Sequence, residues 1–399
     1  MSSEQAKSVH TVPQKFIFRL AASILALLCV LLVPSSAQKV NDRAERLERA
    51  ASLIGSNQLA EAEGVLNQVL KVAPADATAL NLLGAIRAKQ GRLDEAEILF
   101  SRAVRSDASM TGAHMNLAYL YLLKGAPEKT ASELKEVLRL EPGNAEAGYR
   151  LAWLLLSQGR VDECISLIEK LKGSQAVSAP LLSVLGDAYL KKGNKPEALS
   201  AIKKAIELRP GDAAYHFALG IAWLKAPPDL QEAEQSFRQF LKLQPDDAQG
   251  QLHLGYVLLK EKQYVEAREL LEKSIQKGTG TPEAFYYLGL IAQGQNEDER
   301  AIELFEKAIQ LAPSFAHVHI ALGATYLKLK DYTRAQQALE TGVKLSPEDS
   351  KAHYNLAMLY ARLKNPERAQ EEMRIVEKLK TEGKAQEGES DIQAPPSPR

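Results

Sequence analysis

Residues 316–349 read AHVHIALGATYLKLKDYTRAQQALETGVKLSPED, and residues 350–383 restart the pattern as SKAHYNLAMLYARLKNPERAQEEMRIVEKLKTEG. Leu322-Gly323 and Ala335 in the first stretch return 34 residues later as Leu356-Ala357 and Ala369. A fixed period of this length marks a stacked-repeat architecture, and it decides the fold before any single residue is weighed.

Counted outward from Ala316 as position 1, the copies begin at Arg43, Ala77, Thr111, Ala145, Ala179, Ala213, Ala248, Pro282, Ala316 and Ser350. Every step is 34 residues except the sixth copy, which has 35. Position 8 is Gly or Ala in all ten copies, and position 7 is Leu in nine, with Arg49 the exception. Position 20 is small: Ala62, Ala96, Thr130, Cys164, Ala198, Ala233, Ala267, Ala301, Ala335 and Ala369. Position 32 carries Pro74, Pro142, Pro210, Pro245, Pro313 and Pro347.

Each choice has a physical reason. Apolar residues at positions 4, 7, 8 and 11 share one helical face. Small residues at positions 8 and 20 let two helices cross closely. Gly91, Gly125, Gly159 and Gly193 fall just after a first helix, where glycine takes a left-handed C-cap at little cost. The proline cannot continue the second helix and drives its predecessor out of the α region. Two residues on, Asp76, Asn144, Asp212, Asp247 and Asp349 are suited to cap the next first helix.

These residues resemble the tetratricopeptide-repeat family. The resemblance runs over ten repeats (43–76, 77–110, 111–144, 145–178, 179–212, 213–247, 248–281, 282–315, 316–349 and 350–383). It implies an all-α solenoid: antiparallel helix pairs stacked into a right-handed superhelix with a concave groove. Departures are local. Position 4 lacks Trp, repeat one carries Arg46 and Arg49 at apolar positions, and repeat four lacks both Ala at 20 and Pro at 32. The sixth repeat has Pro227-Pro228 in its inter-helix turn and the inserted residue, so a local widening is expected there.

Outside the repeats, Lys7, Lys15 and Arg19 precede an uncharged apolar run from Leu20 to Val33, then Pro34-Ser35-Ser36-Ala37. This is the layout of a secretory signal peptide, residues 1–37, cut after Ala37. The run is short for a membrane span, which needs about 20 residues. An uncleaved anchor is the alternative. Residues 38–42 read as a linker. Residues 384–399, ending in Ala-Pro-Pro-Ser-Pro-Arg, read as a disordered tail. The expected location is therefore exported, periplasmic or secreted, with no membrane span in the mature chain unless the leader stays.

Fifty basic and 50 acidic residues balance, which argues against a nucleic-acid partner. No HExxH, GxSxG, P-loop or CxxC occurs. His114, His216, His319 and His353 share position 4, where packing explains them better than a metal. Cys164 reads as a small core residue. The chain is expected not to be an enzyme, with no cofactor and no metal.

The resemblance places the ligand surface on first-helix positions 2, 5, 6, 9, 12 and 13. These hold Asn116 and Tyr119; Tyr149, Arg150 and Trp153; Phe217; His253 and Tyr256; Tyr286 and Tyr287; and Tyr354 and Asn355. Exposed aromatics with Arg among them suit a protein or peptide partner. Packing against the neighbouring repeat is the competing account. A carboxylate clamp over repeats two to four would need basic residues where Asn81 and Glu146 stand. Position 13 is basic in Lys89, Lys191, Lys225, Lys260, Lys328 and Arg362, which either attracts an anionic ligand or complements the helix dipole. The expectation is a non-catalytic scaffold that binds a peptide or protein segment in envelope assembly or secretion. The alternative is an accessory protein that binds polysaccharide in export or glycan assembly.

Overall fold

The computed structural model describes residues 34–172, 177–277 and 280–382. Most of the expected leader and the whole tail after residue 383 lie outside that range. Among the described residues the chain forms twenty α-helices and no strand. The early ones are α1 (Pro34–Gly55), α2 (Leu59–Val72), α3 (Ala77–Lys89), α4 (Leu93–Ser106), α5 (Thr111–Leu123), α6 (Pro127–Leu140), α7 (Ala145–Ser157) and α8 (Val161–Lys172). Next come α9 (Ala179–Lys191), α10 (Lys195–Leu208), α11 (Ala213–Leu224), α12 (Leu230–Leu243), α13 (Ala248–Lys260) and α14 (Tyr264–Lys277). The last six are α15 (Pro282–Gly294), α16 (Asp298–Leu311), α17 (Ala316–Lys328), α18 (Tyr332–Leu345), α19 (Ser350–Arg362) and α20 (Pro366–Thr381). Helix packing divides the chain into two compact units. One holds α1–α7 with the end of α8, and the other holds the start of α8 with α9–α20.

The first helix begins ahead of the first repeat. Residues 38–42 are helical, because α1 runs unbroken from Pro34 into repeat one. Arg46 and Arg49 are exposed there, while Ala50 is buried and Leu47, Leu53 and Ile54 are partly buried against the same cluster.

Turns follow the repeat register. Position 15 adopts positive φ in nine copies: Gly91, Gly125, Gly159 and Gly193 as expected, and also Asn57, Lys262, Asn296, Lys330 and Lys364. The sixth copy has Pro227 at that place, after a cis peptide bond. Its inserted residue is absorbed in the turn between α11 and α12, which Lys195 holds by donating to the carbonyls of Trp223, Lys225 and Pro227. The helix pair beyond the turn is kept, since Gly220 still meets the Phe237 ring, so the insertion leaves this contact in register.

All five expected N-caps form. Asp76, Asn144 and Asp247 accept from the amides of Ala79, Ala147 and Gly250 at 2.9, 3.0 and 2.8 Å. Asp212 accepts from Ala214 at 3.2 Å, and Asp349 from Lys351 and Ala352 at 2.8 and 3.1 Å. Asp76 also pairs with Arg43. Burial pushes its carboxyl upward, but Arg43 and the Ala79 amide outweigh burial and hold it below the ordinary value.

The position-8 glycine answers the side chain at position 24. A Cβ on Gly84, Gly220 or Gly289 would stand 2.4–2.7 Å from ring carbons of Phe100, Phe237 or Phe305. On Gly255 or Gly323 it would strike Leu271 or Leu339 at 2.6–2.8 Å. Where position 24 is Leu66, Ala50 suffices, and the two share one core cluster. Phe237 and Phe305 are fully buried, so these rings are the centres of the helix pairs.

Position 4 serves the turn between repeats. His216, His319 and His353 place Nε2 3.0, 2.9 and 2.9 Å from the carbonyls of Pro210, Pro313 and Pro347. Gln251 donates to Pro245 O at 2.9 Å in the same manner. The proline carbonyl has lost its helical partner, and the position-4 side chain supplies a donor. No group of three His, Cys, Asp or Glu among the described residues could hold a metal.

Candidate functional site

In the first unit, the first-helix face of repeats two to four carries a polar and aromatic patch. Asn116 Nδ2 donates to Asn81 Oδ1 at 2.8 Å across adjacent first helices. Tyr119 OH donates to Glu146 Oε1 at 3.0 Å, and Arg150 stacks 4.2 Å from the Tyr119 ring centre. Arg150 Nε also donates to Glu146, one helical turn away. Burial first, then the Glu146 bond, raises the Tyr119 hydroxyl above its ordinary value. Tyr149 is half-buried, and Trp153, one turn further along α7, is 39% exposed. The patch therefore has fixed polar groups and aromatic faces that reach solvent.

Asn81 and Glu146 had stood in the sequence only as mismatches to a carboxylate clamp. The structure gives them partners one repeat away. Their signal in the sequence was separation: 35 residues from Asn81 to Asn116, and 27 from Tyr119 to Glu146. Both spacings bring adjacent first helices together in a 34-residue register.

In the second unit the expectation of exposed aromatics is corrected. His253, Tyr256, Tyr286 and Tyr287 are 4%, 7%, 6% and 2% exposed. Tyr256 and Tyr287 stack at 5.0 Å, while Tyr286 lies 5.5 Å from Tyr287 and 5.2 Å from Phe315. Phe217, partly buried, packs edge-on against Phe240 and His253, each at 5.1 Å. Burial depresses His253, whose Nδ1 sits 2.8 Å from the Gln249 carbonyl. These rings join one repeat to the next, because large side chains at positions 5, 6 and 9 meet across the narrow gap between first helices. Tyr354, 48% exposed, remains at the surface in repeat ten, with Asn355 half-buried.

The basic edge is engaged in part. Lys89 donates to Ile54 O at 3.3 Å, Lys328 reaches Asn296 and Asp298 at 2.9 and 2.8 Å, and Lys260 lies over Tyr256. The first two reach back to the preceding repeat, a role beyond dipole complementation. Cys164 is fully buried, and burial together with Asp187 pushes its thiol up to about 11. That environment keeps the thiol neutral and unreactive.

The comparisons with known proteins agree with this architecture. Three models described as tetratricopeptide repeat match residues 88–220, then 47–111, 229–282 and 320–378, and 290–345. Protein O-mannosyl-transferase TMTC1 of Homo sapiens is 27% identical over 198 residues, which are 49% of this chain and 22% of that protein. The TPR repeat-containing protein PA4667 of Pseudomonas aeruginosa is 30% identical over 183 residues, 45% of this chain and 30% of that one. The chain thus spans under a third of the length of either relative. A chain from the crystal structure of the APC/C hetero-tetramer Cut9-Hcn1 shares the fold, with a TM-score of 0.52, 17% identity, and coverage of 87% of this chain and 83% of that chain. With the family matches lying on the same helix pairs that the 34-residue period and the position-8 contacts define, the chain belongs to the tetratricopeptide-repeat family.

Proposed function

We propose that the chain is a non-catalytic scaffold that binds a protein or peptide segment on the first-helix face of repeats three and four. One observation carries this reading. Tyr119, Tyr149, Arg150 and Trp153 reach solvent together on α5 and α7, while the aromatics at the matching positions of repeats seven and eight are buried in the core. Aromatic and arginine side chains held in place before binding are the usual anchors of an interface, since little side-chain entropy is left to lose. The buried, neutral Cys164 fits a structural role and offers no nucleophile. The proposal extends to an exported protein acting in envelope assembly or secretion, on the strength of the leader sequence. Among the described residues no helix is long and apolar enough to cross a membrane.

A displayed peptide library selected against the full chain, with Trp153→Ala/Arg150→Ala as counter-bait, tests the binding claim. The expected outcome is enriched peptides whose affinity falls at least tenfold on the double variant. Peptides that bind both baits equally, or soluble polysaccharide that binds where no peptide does, overturn it. Amino-terminal sequencing of the protein from fractionated cells tests export, and a chain retaining Met1 in the cytosolic fraction refutes that part.

A further inference from the structure

First helices meet through recurring positions: a side chain at position 5 or 9 faces position 2 or 6 of the next copy. Asn81 bonds to Asn116, and Tyr119 meets both Glu146 and Arg150. Phe217 packs on His253, and Tyr256 on Tyr287. Repeat ten has no following copy among the described residues. Its positions 5 and 9, Tyr354 and Met358, are 48% and 36% exposed. Tyr286 and Ile320, at position 5 of the two preceding copies, are each 6% exposed.

The second helix of repeat ten does not offer the same opening. With the insertion counted out, position 28 is apolar and partly buried in repeats one to three and five to nine, from Leu70 to Val343. Val104 shows its use, packing against a cluster that includes Ala113 of the next first helix. Repeat ten has Glu377 there, exposed. A further repeat, or a second copy of the chain, would bury that charge if it stacked on α20. What stays uncovered is a stripe of α19 alone. Lys351, Tyr354, Met358 and Arg362 follow one another at steps of three, four and four residues, and so share one helical face.

Position 2 is neither Lys nor Arg in any other copy. A cation in the first turn opposes the helix dipole, so the helix itself gives no reason for Lys351. The nearby Asp349 carboxylate accepts from the Lys351 and Ala352 amides and lies 3.7 Å from His317. Among the described residues no ion pair or side-chain hydrogen bond engages Lys351 or Arg362. By contrast Lys89, Lys260 and Lys328, at the position of Arg362, are engaged within the solenoid. We propose that α19 is a docking face in its own right, for an acidic segment of a partner protein. Apolar side chains of the segment cover Tyr354 and Met358, and a carboxylate at each end meets Lys351 and Arg362. Tyr, Met and Arg are the residues that such surfaces favour. Eleven residues of helix separate the two cations, about 16 Å, which an extended segment spans in about five residues. The face is independent of the surface on repeats three and four.

A displayed library of random peptides, selected against the full chain carrying Trp153→Ala/Arg150→Ala, tests this face without any contribution from repeats three and four. Enriched peptides are expected to carry two acidic residues about five places apart around a large apolar residue. Their binding should weaken as salt rises. It should also fall roughly tenfold or more when Lys351→Gln/Arg362→Gln is added, and likewise with Tyr354→Ser/Met358→Ser. All four side chains are exposed, so these variants keep the fold. Failure of the surface on repeats three and four to bind anything leaves this result unmoved. Enrichment of no acidic peptide, or equal affinity with and without the α19 substitutions, overturns the proposal. Two other results overturn it by giving the face another occupant. One is a dimer of the native chain that is lost on Met358→Ser, which assigns the face to a second copy. The other is peptide affinity that rises with Glu387→Gln, Glu389→Gln and Asp391→Asn, which assigns it to the chain's own acidic residues.

Discussion

Gly289→Ala and Gly64→Ala are the same chemical change on two helical glycines, and they should move stability in opposite directions. Gly64 lies on the exposed face of α2, and an added Cβ meets nothing within 4 Å. Removing glycine's excess backbone freedom there should stabilise by about 1 kcal/mol. Gly289 gains the same term, but its Cβ would stand 2.4 and 2.6 Å from two carbons of Phe305. Carbon pairs rest at about 3.5–4.0 Å, so ring or helix must shift by about an ångström. The ring is fully buried, so any shift must be taken up within the core. Overpacking of this kind costs about 1–3 kcal/mol, and taking the upper end less the helical gain leaves a net loss of about 2 kcal/mol. Phe305→Ala should relieve the clash, because it removes the ring carbons that the added Cβ would meet. The double variant should therefore show a coupling of at least about 1 kcal/mol. Repeat arrays need not unfold in one step, so amide exchange within α15 and α16 is read beside urea unfolding by circular dichroism. Stabilisation by Gly289→Ala, or additive effects of the two substitutions, would refute the argument that position 24 dictates position 8.

Three further outcomes are expected. Lys330→Gly should stabilise by about 1 kcal/mol in urea unfolding, because Lys330 holds φ 65° where glycine pays no Cβ penalty. Asp76→Ala should cost about 1–3 kcal/mol through the lost cap and the lost Arg43 pair. The native Asp76 carboxyl is depressed, so its contribution is present above the ordinary carboxylate range and lost as pH falls through the folded value; the gap between native and variant should close in acid unfolding curves. Cys164, raised to about 11, should resist a thiol reagent at pH 8 in the folded chain and react at once in denaturant; equal rates in both would show that the site opens.

Much of the fold was legible because the period repeats its own evidence. Caps at Asp76, Asn144, Asp212, Asp247 and Asp349 and left-handed glycines at Gly91, Gly125, Gly159 and Gly193 all depend on the chain within a few residues, so local chemistry suffices to place them. Lys262, Lys330 and Lys364 take the same left-handed turn without a glycine to announce it, since the register of two packed helices imposes it. The candidate site was less legible. Position 9 holds Tyr119, half-exposed, and Tyr256, buried, in equivalent places. What separates them is the neighbour: Glu146 and Arg150 beside one, Tyr287 beside the other.

By itself, then, the sequence determined the helix pairs, their turns and their family, because spacing, capping and small-residue positions act within one repeat. Only the tertiary structure decided which first-helix side chains face solvent and which position-24 side chain each position-8 glycine accommodates. Those outcomes depend on pairs of residues about 16 to 35 positions apart, and a side chain is buried or free according to what the adjacent helix brings against it.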